Sequence, residues 1–171
     1  MVTVSKGMND YLFRTRKVSN NKIHIVYNWQ DEKRFLETNA NLQANNNFTF
    51  TFLGSLSPSA SIDTVINAFI KSDLQNARLV IAGAGSEKGK LVKIAKVSSK
   101  KIEFIDSPAE RAGKIQSESD VLILSLKKGV GKYALPSKLS AYMFSAKPII
   151  GSVDVESDIA NVILESGCGW V

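Results

Sequence analysis

Only one cysteine and one histidine stand among the 171 residues. A lone cysteine excludes a disulfide framework and every multi-cysteine zinc motif. With a single histidine beside it, a structural zinc site has no ligand set. Long apolar runs are absent too: the longest, such as Val121–Leu126, are strand-sized and cannot span a bilayer. The first residues carry no apolar signal core. Acidic residues are the scarcer charge, 16 Asp and Glu against 22 Lys and Arg, leaving a net charge of +6. Such a surplus suits an anionic partner, whether phosphate ester, nucleic acid or acidic lipid headgroup, without choosing among them. The surplus is uneven. Lys6, Arg14, Arg16, Lys17 and Lys22 face only Asp10 in their stretch, and Lys127–Lys138 holds lysines and no acid. What remains is ordinary for a globular chain, 44% apolar and 22% charged. The length suits one domain with a sizeable core. A cytosolic protein, or a cytosolic part of one, is expected.

The apolar pattern switches between two periods along the chain. Lys22–Asn28 alternates as a strand does, and Phe48–Leu53 is aromatic and β-branched. Ile62, Val65, Ile66 and Phe69 recur at helical spacing, with Ser61 placed to cap them. Strands follow at Ala77–Ala82, Lys101–Ile105, Val121–Leu126 and Pro148–Val153. Between them lie helical stretches at Lys88–Val97, Ala109–Gln116 and from Pro136 through Leu139, Tyr142 and Met143. Ile159, Val162 and Ile163 form a last helical stripe, which Gly167 closes. Strands alternating with helices, the central strands apolar throughout, predict an α/β fold: a doubly wound, mostly parallel, Rossmann-like sheet. The Asn-rich stretch between Trp29 and Asn47 predicts a mobile surface loop. Val2–Ser5 reads as the tail of a strand and Lys6–Arg14 as a helix. We therefore expect residues 1–21 to be the tail of a preceding domain or a linker helix, and 22–171 the Rossmann-like domain. The whole reads as a portion of a longer protein.

In an open α/β sheet, ligands bind outside the carboxyl ends of the strands, where helix N-termini favour phosphate. The Gly54–Ser61 turn (GSLSPSAS) lets backbone approach an anion and adds hydroxyls at Ser55 and beyond, although a plain tight turn would look the same. Gly83-Ala84-Gly85 resembles a dinucleotide fingerprint, with Asp106 where a ribose-binding acid would stand. Its third glycine, Gly89, comes one position late, and the strand is internal to the series. Lys127–Lys138 (KKGVGKYALPSK) runs lysines into a helix opened by Pro136. Ammonium and backbone N–H groups would converge there on a diphosphate, unless it is simply a solvated lysine loop. It is not a Walker A loop, since Tyr133 follows Gly131-Lys132. His24 reads as a strand residue and Cys168 as a small structural one. Asp154, Glu156 and Asp158 read as helix-terminal acids in preference to metal ligands. Asn47-Phe48-Thr49 matches a glycosylation acceptor by chance, and no Ser/His/Asp set stands out.

Taken in order, the segments Lys22–Trp29 (KIHIVYNW), Phe52-Leu-Gly-Ser-Leu, Ile62–Phe69 and Leu79–Gly85 (LVIAGAG) resemble the group 1 glycosyltransferases of GT-B fold. So do Ile102–Ile105, Ser119–Ile123, Pro136–Met143 (PSKLSAYM), Lys147-Pro-Ile-Ile and Gly167-Cys-Gly. The pattern is closest to the retaining enzymes of bacterial capsule and O-antigen synthesis. Val2–Leu12 resembles the end of that family's N-terminal domain, which would be mostly absent here.

The resemblance implies a domain that binds a nucleotide-diphosphate sugar, UDP-activated above all. The sugar would pass to an acceptor glycan or lipid-linked glycan held by the missing domain. It implies no metal and no cofactor, the nucleotide sugar being a substrate. It also implies no nucleic acid, a cytoplasmic location and peripheral contact with the inner face of the membrane. Donor-binding residues would be Gly54, Ser55, Gly83, Gly85, Lys132, Pro136, Ser137, Lys138 and Ala141, with the catalytic groups in the missing domain. The chain departs from the family where Ser55 and Ala60 replace an arginine and a lysine directed at the diphosphate. It departs again where Tyr133 and Ala141 replace the Glu-x7-Glu pair. Lys138, Lys132 and the helix N-terminus at Ser137 are then expected to take over the phosphate. Two other readings stay open: a non-catalytic scaffold of the same fold, and an NAD-type dinucleotide-binding domain.

Overall fold

Phe48–Leu53 alternates phenylalanine with threonine and leucine, and this period of two makes it a strand with two different faces. In the computed structural model, which describes residues 1–31, 33 and 47–171, this strand (β3) receives a parallel neighbour on each side. The β strands are β1 (Val2–Thr3), β2 (His24–Ile25), β3, β4 (Ala77–Ala82), β5 (Lys101–Ile105), β6 (Val121–Ser125), β7 (Ile149–Ser152) and β8 (Gly169–Trp170). The described helices are α1 (Lys6–Arg16), α2 (Ile62–Lys71), α3 (Lys88–Ala95), α4 (Ala112–Ser117), α5 (Ser137–Phe144) and α6 (Asp158–Glu165). Six strands form one parallel sheet in the order β5-β4-β3-β6-β7-β8. The predicted doubly wound α/β fold is therefore the observed one.

Register divides the core between the faces. Phe52 lies beside Ile81 and Ile123 and packs with Leu79 against Ile62, Val65, Ile66 and Phe69 of α2 and Leu91 of α3. Leu122 and Leu124 point the other way and pack with Ile149 against Leu139 and Tyr142 of α5 and Ile159 and Ile163 of α6. The α4 side of the sheet is more polar: Ser119 Oγ lies 2.7 Å from Thr51 Oγ1, and both residues are buried. Because the chain winds outward from β3 in both directions, the order reverses between β3 and β6. In such sheets that point opens the ligand crevice.

Several local expectations change. The strand expected over Lys22–Asn28 shrinks to His24–Ile25. It pairs with β1 in a separate two-stranded sheet, so a boundary at residue 22 divides two strands that pair. Ser61 does not cap α2 with its side chain. It sits at φ 50° after the 3-10 turn Pro58–Ala60, and its hydroxyl is 3.1 Å from Thr64 Oγ1. The stretch expected as one helix over Ala109–Gln116 is a 3-10 turn, Ala109–Arg111, continued by α4. A last strand, β8, follows Gly167, whose φ of 64° closes α6 as its position predicted. Most of the Asn-rich stretch expected as a surface loop lies outside the described residues. No described helix is long and apolar enough to cross a membrane.

The N-terminal unit docks on the loop between β6 and α5. Gly7 at the start of α1 abuts the Lys132 carbonyl and donates its N–H to Asp158 Oδ2 at 2.9 Å. The Tyr11 ring packs at a tilt of 54° against Tyr133, centroids 4.8 Å apart. Beyond β2, Asn28 Nδ2 donates to the Leu135 carbonyl at 2.5 Å, and Ser140 Oγ donates back to the Asn28 carbonyl at 3.2 Å.

Candidate functional site

The glycine turns after β3 and β4 lie side by side. Gly54 donates to the Ala82 carbonyl at 2.9 Å, Leu56 to Ala84 at 2.8 Å, and Gly83 to Ile105 of β5 at 3.0 Å. Gly83 has φ 147°, and a Cβ there would collide with the Gly54 carbonyl, so only glycine lets the two turns touch. Gly54, at φ 150°, is constrained from the other side: a Cβ would come within 2.6 Å of the Lys138 ammonium. A crevice of about 340 Å³ opens above these turns, with Ser55, Ala84, Ser107 and Ala109 along its walls.

Lys138 is the charged group of this rim. It occupies the second position of α5, where a cation opposes the helix dipole. Its side chain is mostly buried and its ammonium rests 4.4 Å from the centroid of the Phe52 ring. It forms no ion pair or hydrogen bond with a described residue. Burial alone lowers its pKa from 10.5 to about 8. A cation set against a helix N-terminus, with no carboxylate among the described residues to neutralise it, is a group arranged to receive an anion.

The loop that carries the other lysines is held in shape. Asp154 Oδ2 accepts from Gly129 N at 2.7 Å, and Lys127 N donates to the Ser59 carbonyl at 2.8 Å. Lys132 stands apart from the glycine turns: its backbone lies against Gly7 and its side chain is exposed. Pro136 and Ser137 lead into α5, and the Ser137 carbonyl accepts from Gln30 Nε2 at 3.3 Å. Ala141 is buried one turn further on. Gly85 belongs to the paired turns, where a Cβ would strike the Leu56 backbone, and Ser55 is exposed beside them. Asp106 is exposed and paired with Lys88 at 2.9 Å. So the structure gathers Gly54, Ser55, Gly83, Gly85 and Lys138 at one rim, with Pro136 and Ser137 leading to it, and leaves Lys132 with α1. Among the described residues no cluster of His, Cys, Asp and Glu is built to hold a metal ion.

Two groups at the rim escape a reading of the sequence. Phe52 is visible there only as a strand residue, yet it is the floor under the ammonium. Tyr142 reads as core, and its ring is core. Its hydroxyl, however, accepts from Leu53 N at 3.0 Å and lies 3.1 Å from the Leu53 carbonyl, immediately before Gly54. Burial raises its pKa well above the ordinary phenol value. The spacing of Lys138 and Tyr142, one turn apart on α5, is the available signal.

The family model for "Glycosyl transferases group 1" matches residues 47–171, from the first central strand to the last residue. The chain belongs to the group 1 glycosyl transferases. No curated protein matches the sequence. Among solved structures, this glycosyl transferase chain is similar to WaaG, a glycosyltransferase involved in lipopolysaccharide biosynthesis: TM-score 0.77 at 14% identity, over 99% of this chain and 48% of WaaG. It is similar to Anabaena Alr3699/HepE, solved with UDP-glucose, at TM-score 0.69 and 14% identity over 88% of this chain and 43% of that one. Against S. aureus TarM, solved with UDP as a point mutant, the values are 0.65 and 15%, over 88% of this chain and 29% of TarM. The chain thus spans less than half the length of each, and at these identities the likeness is one of GT-B fold.

Proposed function

We propose that this chain is the donor-binding part of a glycosyltransferase that takes a UDP-sugar. The diphosphate would lie across the Gly54 and Gly83 turns, facing the N-terminus of α5 and the ammonium of Lys138. The observation that carries the reading is Lys138 itself, a mostly buried cation beside the Gly54 turn with no carboxylate partner among the described residues. UDP and UDP-glucose in the HepE complexes and UDP with TarM support the choice of nucleotide. As the bond from sugar to diphosphate breaks, negative charge grows on the departing phosphate. Lys138 and the α5 amides would stabilise that charge electrostatically, with no metal needed. We place the acceptor, a surface glycan or its lipid-linked precursor, and the groups that act on it, on a further domain, so that this chain alone would bind donor without turnover. Transfer with retention and a cytoplasmic setting at the membrane's inner face belong to the same reading, as does β1–α1–β2 as a portion of that further domain.

Calorimetric titration of the chain with UDP and with uridine tests it. UDP binds and uridine binds far more weakly, because the diphosphate carries the recognition. Lys138→Ala weakens UDP roughly tenfold or more, the value of one charge-assisted hydrogen bond of about 1.5–3 kcal/mol. No heat at millimolar UDP would sink the reading. A second reading, a scaffold that keeps the fold without chemistry, is favoured by Ala141 being buried on α5 and Tyr133 being packed against Tyr11, where the family's carboxylates would stand. Donor binding without sugar transfer or hydrolysis by the full-length protein would decide for it.

A further inference from the structure

The ladder between β3 and β6 stops short. Phe50, Thr51 and Phe52 pair with Val121, Leu122 and Ile123, yet β3 runs on to Leu53 and β6 to Ser125. On its other side Leu53 still pairs with Ala82 of β4. The two central strands therefore separate at Leu53, just before the Gly54 turn, and the Tyr142 hydroxyl fills the gap. It accepts from the Leu53 N–H at 3.0 Å and lies within donating distance of two carbonyls, Leu53 at 3.1 Å and Ile123 at 3.4 Å. One side-chain oxygen thus bridges both strands at the point where they diverge. Tyr142 is wholly buried, so it cannot touch a ligand in the crevice. It stands one helical turn from Lys138, whose ammonium covers Phe52 on the same strand.

We propose that Tyr142 is a positioning residue: its hydroxyl, wedged into the open seam of β3 and β6, holds the Gly54 turn against α5 and so fixes the Lys138 ammonium over Phe52, beside the Gly54 turn. An aliphatic or phenyl side chain would fill the same space but leave the Leu53 N–H, and the carbonyl that takes the one hydroxyl proton, without that partner in the interior. The seam would then close by one more pair, shifting Gly54, or admit water beside Phe52. Either outcome changes the surroundings of Lys138, whose burial is uncompensated by any carboxylate among the described residues.

The ligand arm of this inference rests on the nucleotide-diphosphate reading; the ammonium arm does not. The test uses Tyr142→Phe in the full chain. The titration midpoint of Lys138 is followed by NMR of its Cε and Nζ, assigned with Lys138→Met, and UDP affinity by calorimetry. In the wild type, burial is expected to set the midpoint at about 8. In Tyr142→Phe the midpoint rises by about half a pH unit or more, toward an ordinary lysine, as water reaches the ammonium. UDP binding weakens about fivefold, the worth of one net hydrogen bond. Adding Tyr142→Phe to Lys138→Met causes no further loss, because the hydroxyl acts through the ammonium. An unchanged midpoint overturns the proposal even if affinity falls, since packing damage alone would do that. A moved midpoint with unchanged affinity overturns it as well, and so do additive losses. If wild type binds no UDP, the functional reading has failed and the midpoint alone decides the positioning. Should Tyr142→Phe not fold, 3,5-difluorotyrosine at 142 keeps the ring and weakens the hydroxyl as an acceptor. A smaller rise of the midpoint is then expected, and none overturns the proposal.

Discussion

Replacing Lys138 by methionine should make the protein more stable and worse at binding. The wild-type ammonium is mostly buried, and burial alone brings its pKa from 10.5 to about 8. A lysine whose folded pKa is depressed holds its proton less firmly in the native state than in the unfolded chain. Between about pH 8 and 10.5 the unfolded chain therefore binds more protons, and stability rises with pH across that window. Below pH 8 the full penalty is present. At about 1.4 kcal/mol per pH unit its upper limit is on the order of 3 kcal/mol. The attraction of the ammonium for the Phe52 ring offsets about 0.5–1 kcal/mol of it. Lys138→Met keeps the stem packing without the charge, so it should gain about 2 kcal/mol at pH 7, a rise of about 4–8 °C in Tm for a chain of this size. The gain should shrink toward zero by about pH 10.5. Thermal unfolding of both proteins by circular dichroism at half-unit steps from about pH 6.5 to 10.5 measures the difference, and subtraction cancels the other lysines. A Lys138→Met protein less stable than wild type at pH 7, or a gain that does not vary with pH, would refute the account of Lys138 as a buried cation with no carboxylate partner among the described residues.

Gly83→Ala places a methyl against the Gly54 carbonyl at a φ that suits only glycine. It should destabilise by about 2–4 kcal/mol in chemical denaturation and abolish detectable UDP binding. Leu124→Ala empties a wholly buried position beneath α5 and α6; a loss of about 2–5 kcal/mol is expected in the same assay. Asp158→Ala removes the carboxylate that accepts from Gly7. The expected loss is about 1–2 kcal/mol, with faster limited proteolysis in the β6–α5 loop. Equal proteolysis rates would show that α1 does not brace that loop. UDP affinity of the wild type should fall about fivefold between pH 8 and 9, because the free protein must take up a proton to bind; a flat profile would separate Lys138 from the diphosphate.

The six-stranded sheet is legible because its strands are dense in β-branched and aromatic residues and its helices in 3.6-period stripes, two signals that do not overlap. Ile62, Val65, Ile66 and Phe69 and the run Val121–Ser125 leave no room for another assignment. Short elements are not legible. β8 is Gly169–Trp170, which no propensity marks, and it forms only because Ile149 and Ile150 offer an open edge. β2 is held by β1 through long-range pairing, so the alternation over Lys22–Asn28 overstates its length. At the site, the glycines announce themselves because glycine has few other uses beside a strand end. The role of Ser61 is hidden because capping propensity says nothing of a preceding 3-10 turn, which sets its φ to 50°. Lys132 cannot be separated from Lys138 by sequence: both lie in one basic stretch, and only the docking of α1 sends one of them away. The Tyr142 hydroxyl is hidden because its partners are backbone atoms of β3 and β6, which no side-chain pattern reports.

The shortness of the β3–β6 ladder reaches beyond the crevice. It makes the sheet two triplets, β5-β4-β3 and β6-β7-β8, sewn together by the brief pairing of Phe50–Phe52 with Val121–Ile123. Such a join, like the two-pair β7–β8 edge, is a line along which a cooperative structure can open while the rest persists. A molecule lodged across it would act as a suture, and amide exchange along Thr51 and Ile123 would slow more than exchange within either triplet.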